Sequence, residues 1–185
     1  MIEIKNLSFA YDENKVIRNF SALFKKGERV CIMGESGKGK TTLLRLICGL
    51  EKPESGTISF LENEKVGVVF QSDVLLPWKT ALENVSIVSD KACAEKWLCA
   101  FSLSDSLNKY PFELSGGMCR RVALARAVAF EPDVLVLDEA FKGLDSALKG
   151  EIMDLIKNRF SKRTVIFTSH DETEVASFAT RIIEL

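Results

Sequence analysis

The segment from Gly34 to Thr42, GESGKGKTT, constrains the fold of this chain more than any other segment. It fits the pattern G-x-x-x-x-G-K-[ST] and lies between an apolar run, Arg29 to Met33, and a helical pattern, Thr41 to Cys48. A strand that passes through a glycine-rich turn into a helix directs successive backbone N–H groups, and the positive end of the helix dipole, at one place. The segment therefore predicts a loop that binds the phosphates of a nucleoside triphosphate.

The side chains of this loop predict how the nucleotide is held. Lys40 can reach the terminal phosphates, and the Thr41 hydroxyl can ligate Mg²⁺. Lys38 adds a second cation, which is either solvated or in contact with phosphate. The residues expected to bind nucleotide are Gly34, Glu35, Ser36, Gly37, Lys38, Gly39, Lys40, Thr41 and Thr42.

The composition is typical of a globular chain with a sizeable core. A length of 185 residues suits one domain, or one core with a lobe attached. The net charge of −1, with interspersed signs, offers no basic footprint, so we expect no nucleic-acid partner. No apolar run approaches the roughly 18 residues that cross a bilayer. Five cysteines without C-x-x-C spacing indicate buried, reduced thiols rather than redox or metal chemistry.

Strands alternate with helices along the chain. The strand-like runs are 2–9, 16–24, 28–33, 57–60, 66–70, 133–137, 164–168 and 181–185, and the helical patterns are 41–48, 80–101, 119–130, 146–160 and 171–179. Around a phosphate loop, this alternation predicts an α/β fold of the P-loop NTPase type, with a mainly parallel core sheet flanked by helices. We also expect an N-terminal antiparallel β layer and a small helical lobe, about 72–114, within a single domain, 1–185.

Two carboxylates follow the short apolar run Asp133 to Leu137. Ligands of open α/β sheets bind at the carboxyl ends of such strands. Asp138 is therefore expected to hold Mg²⁺, directly or through water, and Glu139 to orient and activate the attacking water.

The segment Leu114 to Met118, LSGGM, precedes a strong helical pattern. Ser115 is a natural N-cap, but capping does not explain Gly116 and Gly117, because glycine weakens a helix. A second anion site would explain them, since exposed N–H groups at a helix start bind phosphate.

In this order the motifs resemble those of the nucleotide-binding subunits of ATP-binding cassette (ABC) transporters, over nearly the whole chain. Gly34 to Thr42 looks like the Walker A loop, Leu114 to Met118 like the signature motif, and Val134 to Glu139 like Walker B with its catalytic glutamate. The phosphate loop alone is shared by many enzymes, whereas its combination with LSGG and DEAFKGLD is highly specific.

Four single residues extend the resemblance. Gln71 resembles the Q-loop glutamine, which would reach Mg²⁺ and the attacking water. His170, the only histidine, resembles the switch histidine that contacts γ-phosphate. Tyr11 resembles the aromatic residue that stacks on adenine, and Asp145 lies in a segment that resembles the D-loop.

The resemblance implies an assembly in which two subunits sandwich ATP head to tail. Ser115, Gly116 and Gly117 of one subunit would face the γ-phosphate held by Lys40 of the other. Closure on ATP and Mg²⁺ would align water with Glu139, and cleavage would reopen the dimer. We expect a homodimer that is cytoplasmic and peripheral on the inner face of the cell membrane.

Three residues depart from the family pattern. Met118 stands where glutamine is commonest, Lys38 replaces a small residue of the phosphate loop, and Ala140 replaces a proline. The Met118 departure puts a ribose or helix-capping contact in doubt and leaves the phosphate contacts untouched.

The apolar segment Leu75, Leu76, Pro77 and Trp78 lies soon after Gln71. It is either part of the core or a docking site for a membrane-embedded permease, since exposed aromatic clusters mark interfaces. Together with LSGGM it resembles the importers of nitrate, sulfonates and taurine, which implies an indirect solute-binding protein partner.

Two other functions compete with the transporter subunit. A soluble ABC ATPase could act as a regulatory or assembly clamp without a permease. A phosphate-loop kinase or GTPase would leave LSGGM and His170 unexplained.

Overall fold

The computed structural model describes residues 1–60, 64–72 and 75–185. Residues 73 and 74, at the start of the expected lobe, lie outside the described residues. Within these ranges the chain forms eight strands and six α-helices. The strands are β1 (Ile2–Tyr11), β2 (Asn14–Phe24), β3 (Arg29–Met33), β4 (Ser55–Phe60), β5 (Val66–Val69), β6 (Val134–Asp138), β7 (Thr164–Thr168) and β8 (Arg181–Glu184). The helices are α1 (Lys40–Ile47), α2 (Ala81–Ser86), α3 (Lys91–Ala100), α4 (Gly116–Ala129), α5 (Ser146–Arg159) and α6 (Glu172–Phe178).

The chain divides into two compact units, each built from separate stretches of sequence. The first unit comprises Met1–Val68, Asp133–Asp138 and Phe160–Leu185, and the second comprises Val69–Pro132 and Glu139–Arg159. The expectation of a single domain with a lobe at about 72–114 stays a prediction.

A five-stranded sheet forms the centre of the first unit, in the order β5-β6-β7-β3-β8. The pairs β3–β7, β3–β8 and β6–β7 are parallel. All five residues of β6 and all five of β7 are buried, as in strands that are covered on both faces. The predicted mainly parallel sheet is confirmed, and it brings the carboxyl ends of β3, β6 and β7 to one edge.

An antiparallel sheet, ordered β2-β1-β4, shares a hydrophobic core with α1 and the parallel sheet. Ile4 and Phe24 from the antiparallel sheet, Leu43 from α1, and Val136 and Ile166 from the parallel sheet all belong to this core. The predicted N-terminal β layer is thus confirmed.

Alternation along β7 directs Phe167 to the face opposite Ile166. There Phe167 meets Phe178 of α6 edge to face, with ring centroids 5.1 Å apart. Helix α6 therefore packs on the other face of the parallel sheet.

The second unit is helical, and α2, α3 and α4 pack against one another. The helical pattern predicted over 80–101 forms two helices, because each of two N-cap residues begins a separate helix. Thr80 forms a capping box with Glu83 at the start of α2, and Asp90 accepts a hydrogen bond from Cys93 N–H at the start of α3.

Within the described part of the chain, no helix combines the length and apolar character needed to cross a membrane.

The expectation of buried thiols is correct for only one of the five cysteines. Cys31 is buried, Cys48, Cys93 and Cys119 are half-buried, and Cys99 is exposed. Burial raises the pKa of the Cys31 thiol to about 11 and that of Cys48 to about 12. Both thiols therefore stay protonated at neutral pH, and the thiol is a poor nucleophile.

We expect iodoacetamide at pH 8 to alkylate Cys99 of the folded protein and to react with Cys31 at least roughly tenfold more slowly. Because the Cys31 pKa is raised, its reaction should accelerate only as the pH rises towards 11. Mass spectrometry of peptides after timed labelling measures both rates, and labelling in denaturant is the control. Equal rates for the two residues in the folded protein would contradict the burial of Cys31.

Candidate functional site

The loop between β3 and α1 requires glycine at two positions. Gly37 and Gly39 have φ angles of 81° and 94°, in the left-handed region that other residues seldom adopt. A Cβ atom on Gly39 would also lie 2.6 Å from Cγ1 of Val16. Gly39 thus lets the loop turn into α1 directly beside β2.

The Lys40 side chain folds back over this loop. Its Nζ donates hydrogen bonds to the carbonyl oxygens of Gly34 at 2.7 Å and Glu35 at 2.9 Å, and the residue is 8% exposed. A cation bound to loop carbonyls is well placed to exchange them for phosphate oxygens. The other loop cation, Lys38, is exposed and forms a surface ion pair with Glu35 at 3.6 Å.

A cavity of about 480 Å³ adjoins the loop. Its lining includes Lys15, Val16, Arg18, Gly37, Lys38 and Glu184. Tyr11 lies at the end of β1, in the hairpin that leads to this lining, and pairs with Asn14 of β2. Its ring is 44% exposed and meets Phe9 edge to face, so one face can stack on a base.

Asp138 is the buried charged group of this edge of the sheet, with 2% exposure. Its Oδ2 accepts a hydrogen bond from the Thr41 hydroxyl at 2.7 Å, and its Oδ1 accepts one from the Thr168 hydroxyl at 2.6 Å. The end of β6 is thereby joined to the start of α1 and to the end of β7.

The oxygen atoms of Thr41 and Asp138 form a donor set that suits Mg²⁺. Carboxylate and hydroxyl oxygens are hard ligands, and Mg²⁺ is usually bound by one or two carboxylates together with substrate phosphates and water. No cluster of three or more His, Cys, Asp or Glu side chains suited to a metal occurs among the described residues.

His170 lies two residues beyond the end of β7 and is exposed. The backbone on either side of it is fixed by side-chain hydrogen bonds. The Ser169 hydroxyl donates to Glu174 of α6 at 2.6 Å, and it accepts from the N–H of Asp171 at 3.0 Å. The carboxylate of Asp171 in turn caps α6.

In the second unit, Gln71 and Glu139 meet. Nε2 of Gln71 donates to Oε2 of Glu139 at 3.3 Å, and Nζ of Lys142 donates to the same oxygen at 2.9 Å. Glu139 also has a φ angle of 47°, a left-handed conformation that is uncommon outside glycine. Its carboxylate is thus held by an amide and an ammonium group.

Helix α4 begins at the glycines predicted as an anion site. Ser115 is the N-cap, and its hydroxyl accepts a hydrogen bond from Met118 N–H at 3.3 Å. Ser115 and Gly116 are exposed, and no atom of the described residues outside the adjoining backbone lies within 4 Å of a Cβ built on Gly116. The helix start is open to a ligand.

Asp145 lies at the start of α5 and caps it. Its Oδ1 accepts hydrogen bonds from the N–H groups of Ala147 at 3.0 Å and Leu148 at 3.4 Å. The structure therefore gives Asp145 a helix-capping role, and its expected contact with nucleotide stays a prediction.

The sequence-predicted residues fall into two groups, one in each unit. The first unit contains Tyr11, the phosphate loop, Asp138 and His170, and the second contains Gln71, the start of α4, Glu139 and Asp145. Sequence reasoning missed three partners of these residues: Thr168, Lys142 and Arg120. Thr168 had a usable signal as a hydroxyl ending a buried strand, whereas the two basic residues had none.

Comparison with known proteins agrees with this geometry. Residues 17–142 match the sequence profile of the family described as "ABC transporter". The chain is 34% identical to the ergothioneine transport ATP-binding protein EgtV of Helicobacter pylori (strain G27), covering 100% of this chain and 97% of that protein. It is 37% identical to the aliphatic sulfonates import ATP-binding protein SsuB of Zymomonas mobilis subsp. mobilis (strain ATCC 31821 / ZM4 / CP4), covering 100% of this chain and 81% of that protein.

A solved structure is similar over the whole chain. It is the ATP-binding cassette MJ0796, described as a dimer in a post-hydrolysis state bound to ADP and Pi. The TM-score is 0.89 at 34% identity, covering 100% of this chain and 94% of that one.

The Gly39→Ala variant should bind ATP at least roughly tenfold more weakly, because the added methyl group clashes with Val16 at a left-handed backbone position. Titration with a fluorescent ATP analogue measures the affinity. Gly49→Ala is a matched control, since Gly49 has a φ angle of 69° but no atom within 4 Å of the added Cβ. Unchanged affinity in Gly39→Ala would refute the role of this loop.

Proposed function

Because the chain belongs to the ABC transporter family of ATP-binding proteins, we propose that it is the ATPase subunit of an importer. It binds and hydrolyses ATP, as members of this family do. The observation that most supports this function is the Asp138 carboxylate, buried between the hydroxyls of Thr41 and Thr168 at the phosphate loop.

In this proposal the first unit holds the nucleotide. Adenine stacks on Tyr11, and the loop N–H groups from Gly34 to Thr42 surround the β- and γ-phosphates, with Lys40 exchanging its carbonyl partners for phosphate oxygens. Thr41 and Asp138 would hold Mg²⁺, with Gln71 as a further ligand, and the ion would neutralise the charge that develops on the phosphates.

Hydrolysis is in-line attack of water on the γ-phosphorus. The new P–O bond forms as the bond to the β–γ bridging oxygen breaks, Glu139 takes the proton of the water, and ADP leaves with the electron pair. His170 hydrogen-bonds the γ-phosphate, and Gln71 helps to orient the water. Gln71 and Lys142 both donate to one oxygen of the Glu139 carboxylate, which orients the base.

We further propose that two copies of the chain close head to tail around two ATP molecules. The open start of α4, with Ser115, Gly116 and Gly117, would bind the γ-phosphate held by Lys40 of the other copy, and the Asp145 segment would line the same interface. Lys38 adds a cation near that phosphate. The dimeric, product-bound state of the similar cassette MJ0796 supports this arrangement.

The importer assignment rests on the relatives and on an exposed aromatic residue. The relatives are named for sulfonate import and ergothioneine transport, which favours small polar solutes delivered by a solute-binding protein. Trp78 is 69% exposed, while Leu75 and Leu76 are half-buried. We propose that the segment from Leu75 to Trp78 docks an integral membrane permease, with the subunit on the cytoplasmic face of the membrane.

A buried asparagine makes this segment rigid. Asn84 is fully buried, and its Nδ2 donates to the carbonyls of Leu76, Lys79 and Thr80 while its Oδ1 accepts from Leu76 N–H. A preformed surface loses little conformational entropy when it binds a partner.

Trp78→Ala should weaken permease association by roughly tenfold or more, because central aromatic residues carry much of the binding energy of an interface. Pull-down from membranes and transport-coupled ATPase activity measure this loss, while ATP affinity should be unchanged. Phe130→Ala is the control, since Phe130 is also an exposed aromatic residue of the second unit but caps the far end of α4. Equal pull-down by Trp78→Ala and the unchanged chain would contradict the docking site.

Glu139→Gln should hydrolyse ATP roughly 10²-fold or more slowly, because the amide cannot take the proton of the attacking water. It should still bind ATP and accumulate as a closed dimer, which analytical ultracentrifugation with MgATP detects. Glu131→Gln is a matched control: Glu131 lies in the same unit, has a φ angle of 51° and is ion-paired with Arg159. Near-normal turnover, or a strictly monomeric Glu139→Gln protein, would remove Glu139 and ATP-driven closure from the mechanism.

A further inference from the structure

Helix α4 carries a buried arginine that holds the backbone at Gln71. Arg120 is 8% exposed, and its Nη1 donates to the carbonyl oxygen of Phe70 at 2.8 Å while its Nη2 donates to the carbonyl oxygen of Gln71. Hydrogen bonds from a charged donor are stronger than neutral ones, and a buried guanidinium needs them. The backbone at Phe70 and Gln71 is thus fixed to α4 by a pair of charge-assisted bonds.

The same glutamine reaches the proposed base through its side chain. Nε2 of Gln71 donates to Oε2 of Glu139. Two hydrogen bonds, joined by the covalent structure of Gln71, therefore connect Arg120 to the carboxylate of Glu139. Each of these groups lies in the second unit.

The position of Arg120 along α4 links these hydrogen bonds to the start of the helix. The helix begins one residue after Ser115, and Arg120 projects from its second turn. A rigid helix transmits a displacement of its first turn to the next. A ligand that shifts Ser115, Gly116 and Gly117 therefore also shifts the donors that hold Gln71.

The neighbouring arginine makes the same kind of contact at a different place. Nη1 of Arg121 donates to the carbonyl oxygens of Phe101 at 2.9 Å and Ser102 at 2.7 Å, at the end of α3. Helix α4 thus carries two arginines that each donate hydrogen bonds to two backbone carbonyls. Of these two arginines, only Arg120 binds Gln71.

We propose that Arg120 is a positioning residue for ATP hydrolysis, which couples the start of α4 to Gln71 and through it to Glu139. This inference rests on the proposed function, because it assumes that Gln71 and Glu139 act on the attacking water. In this proposal Arg120 acts on neither nucleotide nor water directly. Its effect on turnover is exerted through the backbone of Gln71.

A double-mutant cycle between Arg120 and Gln71 tests the proposal. Arg120→Met should lower kcat about tenfold, the size expected from losing hydrogen bonds to a charged donor, and should leave KM for ATP within about twofold, because the phosphate loop is untouched. If Arg120 acts through Gln71, Arg120→Met combined with Gln71→Ala should be no slower than Gln71→Ala alone. Arg120→Lys should restore part of kcat, since an ammonium group can still donate to one carbonyl.

Arg121→Met is the control for a loss of packing in α4. It should lower the melting temperature much as Arg120→Met does. Its effect on kcat should be independent of Gln71→Ala, so that the double variant loses kcat by the product of the two single factors. If Arg120→Met does not fold, Arg120→Lys replaces it in the cycle, and the same absence of a further decrease is expected.

Two results would overturn the inference. In the first, the double variant of Arg120 and Gln71 loses kcat by the product of the two single factors. In the second, combining Arg121→Met with Gln71→Ala also causes no further decrease in kcat, as expected only for Arg120→Met. Failure of the underlying function is a different result: the unsubstituted protein would then show no ATPase activity in any assay of the cycle.

Discussion

The buried carboxylate of Asp138 is the interaction on which the rest of the nucleotide site depends. A polar group with 2% exposure is stable only when its hydrogen-bonding capacity is satisfied, and Asp138 accepts hydrogen bonds from the hydroxyls of Thr41 and Thr168. These two bonds set the start of α1 against the ends of β6 and β7. Since the phosphate loop ends where α1 begins, the loop conformation follows from where this carboxylate is held.

The parallel sheet explains why a single carboxylate can do this. In parallel strands the carboxyl ends lie at one edge, so β3 leads to the loop, β6 to Asp138 and β7 to Thr168 and His170. The central residues of β6 and β7 are apolar and buried, and Asp138 and Thr168 bring polar groups to this edge.

The architecture could be predicted from the sequence, and so could the elements that carry the candidate site residues, because those features are local. The buried runs of β6 and β7 and the glycine pattern before Lys40 each specify an element within a few residues of the motif. The division of 80–101 into α2 and α3 was harder, since it depends on capping by Thr80 and Asp90 rather than on hydrophobic periodicity. The exposure of Cys99 was not predictable from spacing, because it depends on which face of α3 is covered.

Contacts between residues far apart in sequence were the ones that the sequence did not reveal. Arg120 lies 49 residues from Gln71, and nothing in a basic residue of a helix indicates which carbonyl it binds. Thr168 and Asp138 are 30 residues apart, and they could be paired only by assuming that β6 and β7 are neighbours. Such long-range hydrogen bonds fix the positions of the motif residues relative to one another.

The hydrogen bonds to Glu139 restrain the orientation of the proposed base. One carboxylate oxygen, Oε2, receives both the Gln71 amide and the Lys142 ammonium. A base that takes a proton from water needs a lone pair directed at that water, so the orientation that these two donors impose decides which lone pairs of the carboxylate can face it. In the proposed dimer, a second copy that contacts the start of α4 would alter this orientation, since Arg120 joins this helix to the backbone of Gln71. Closure would then do more than bring groups together: it would also orient the carboxylate of Glu139 towards the attacking water.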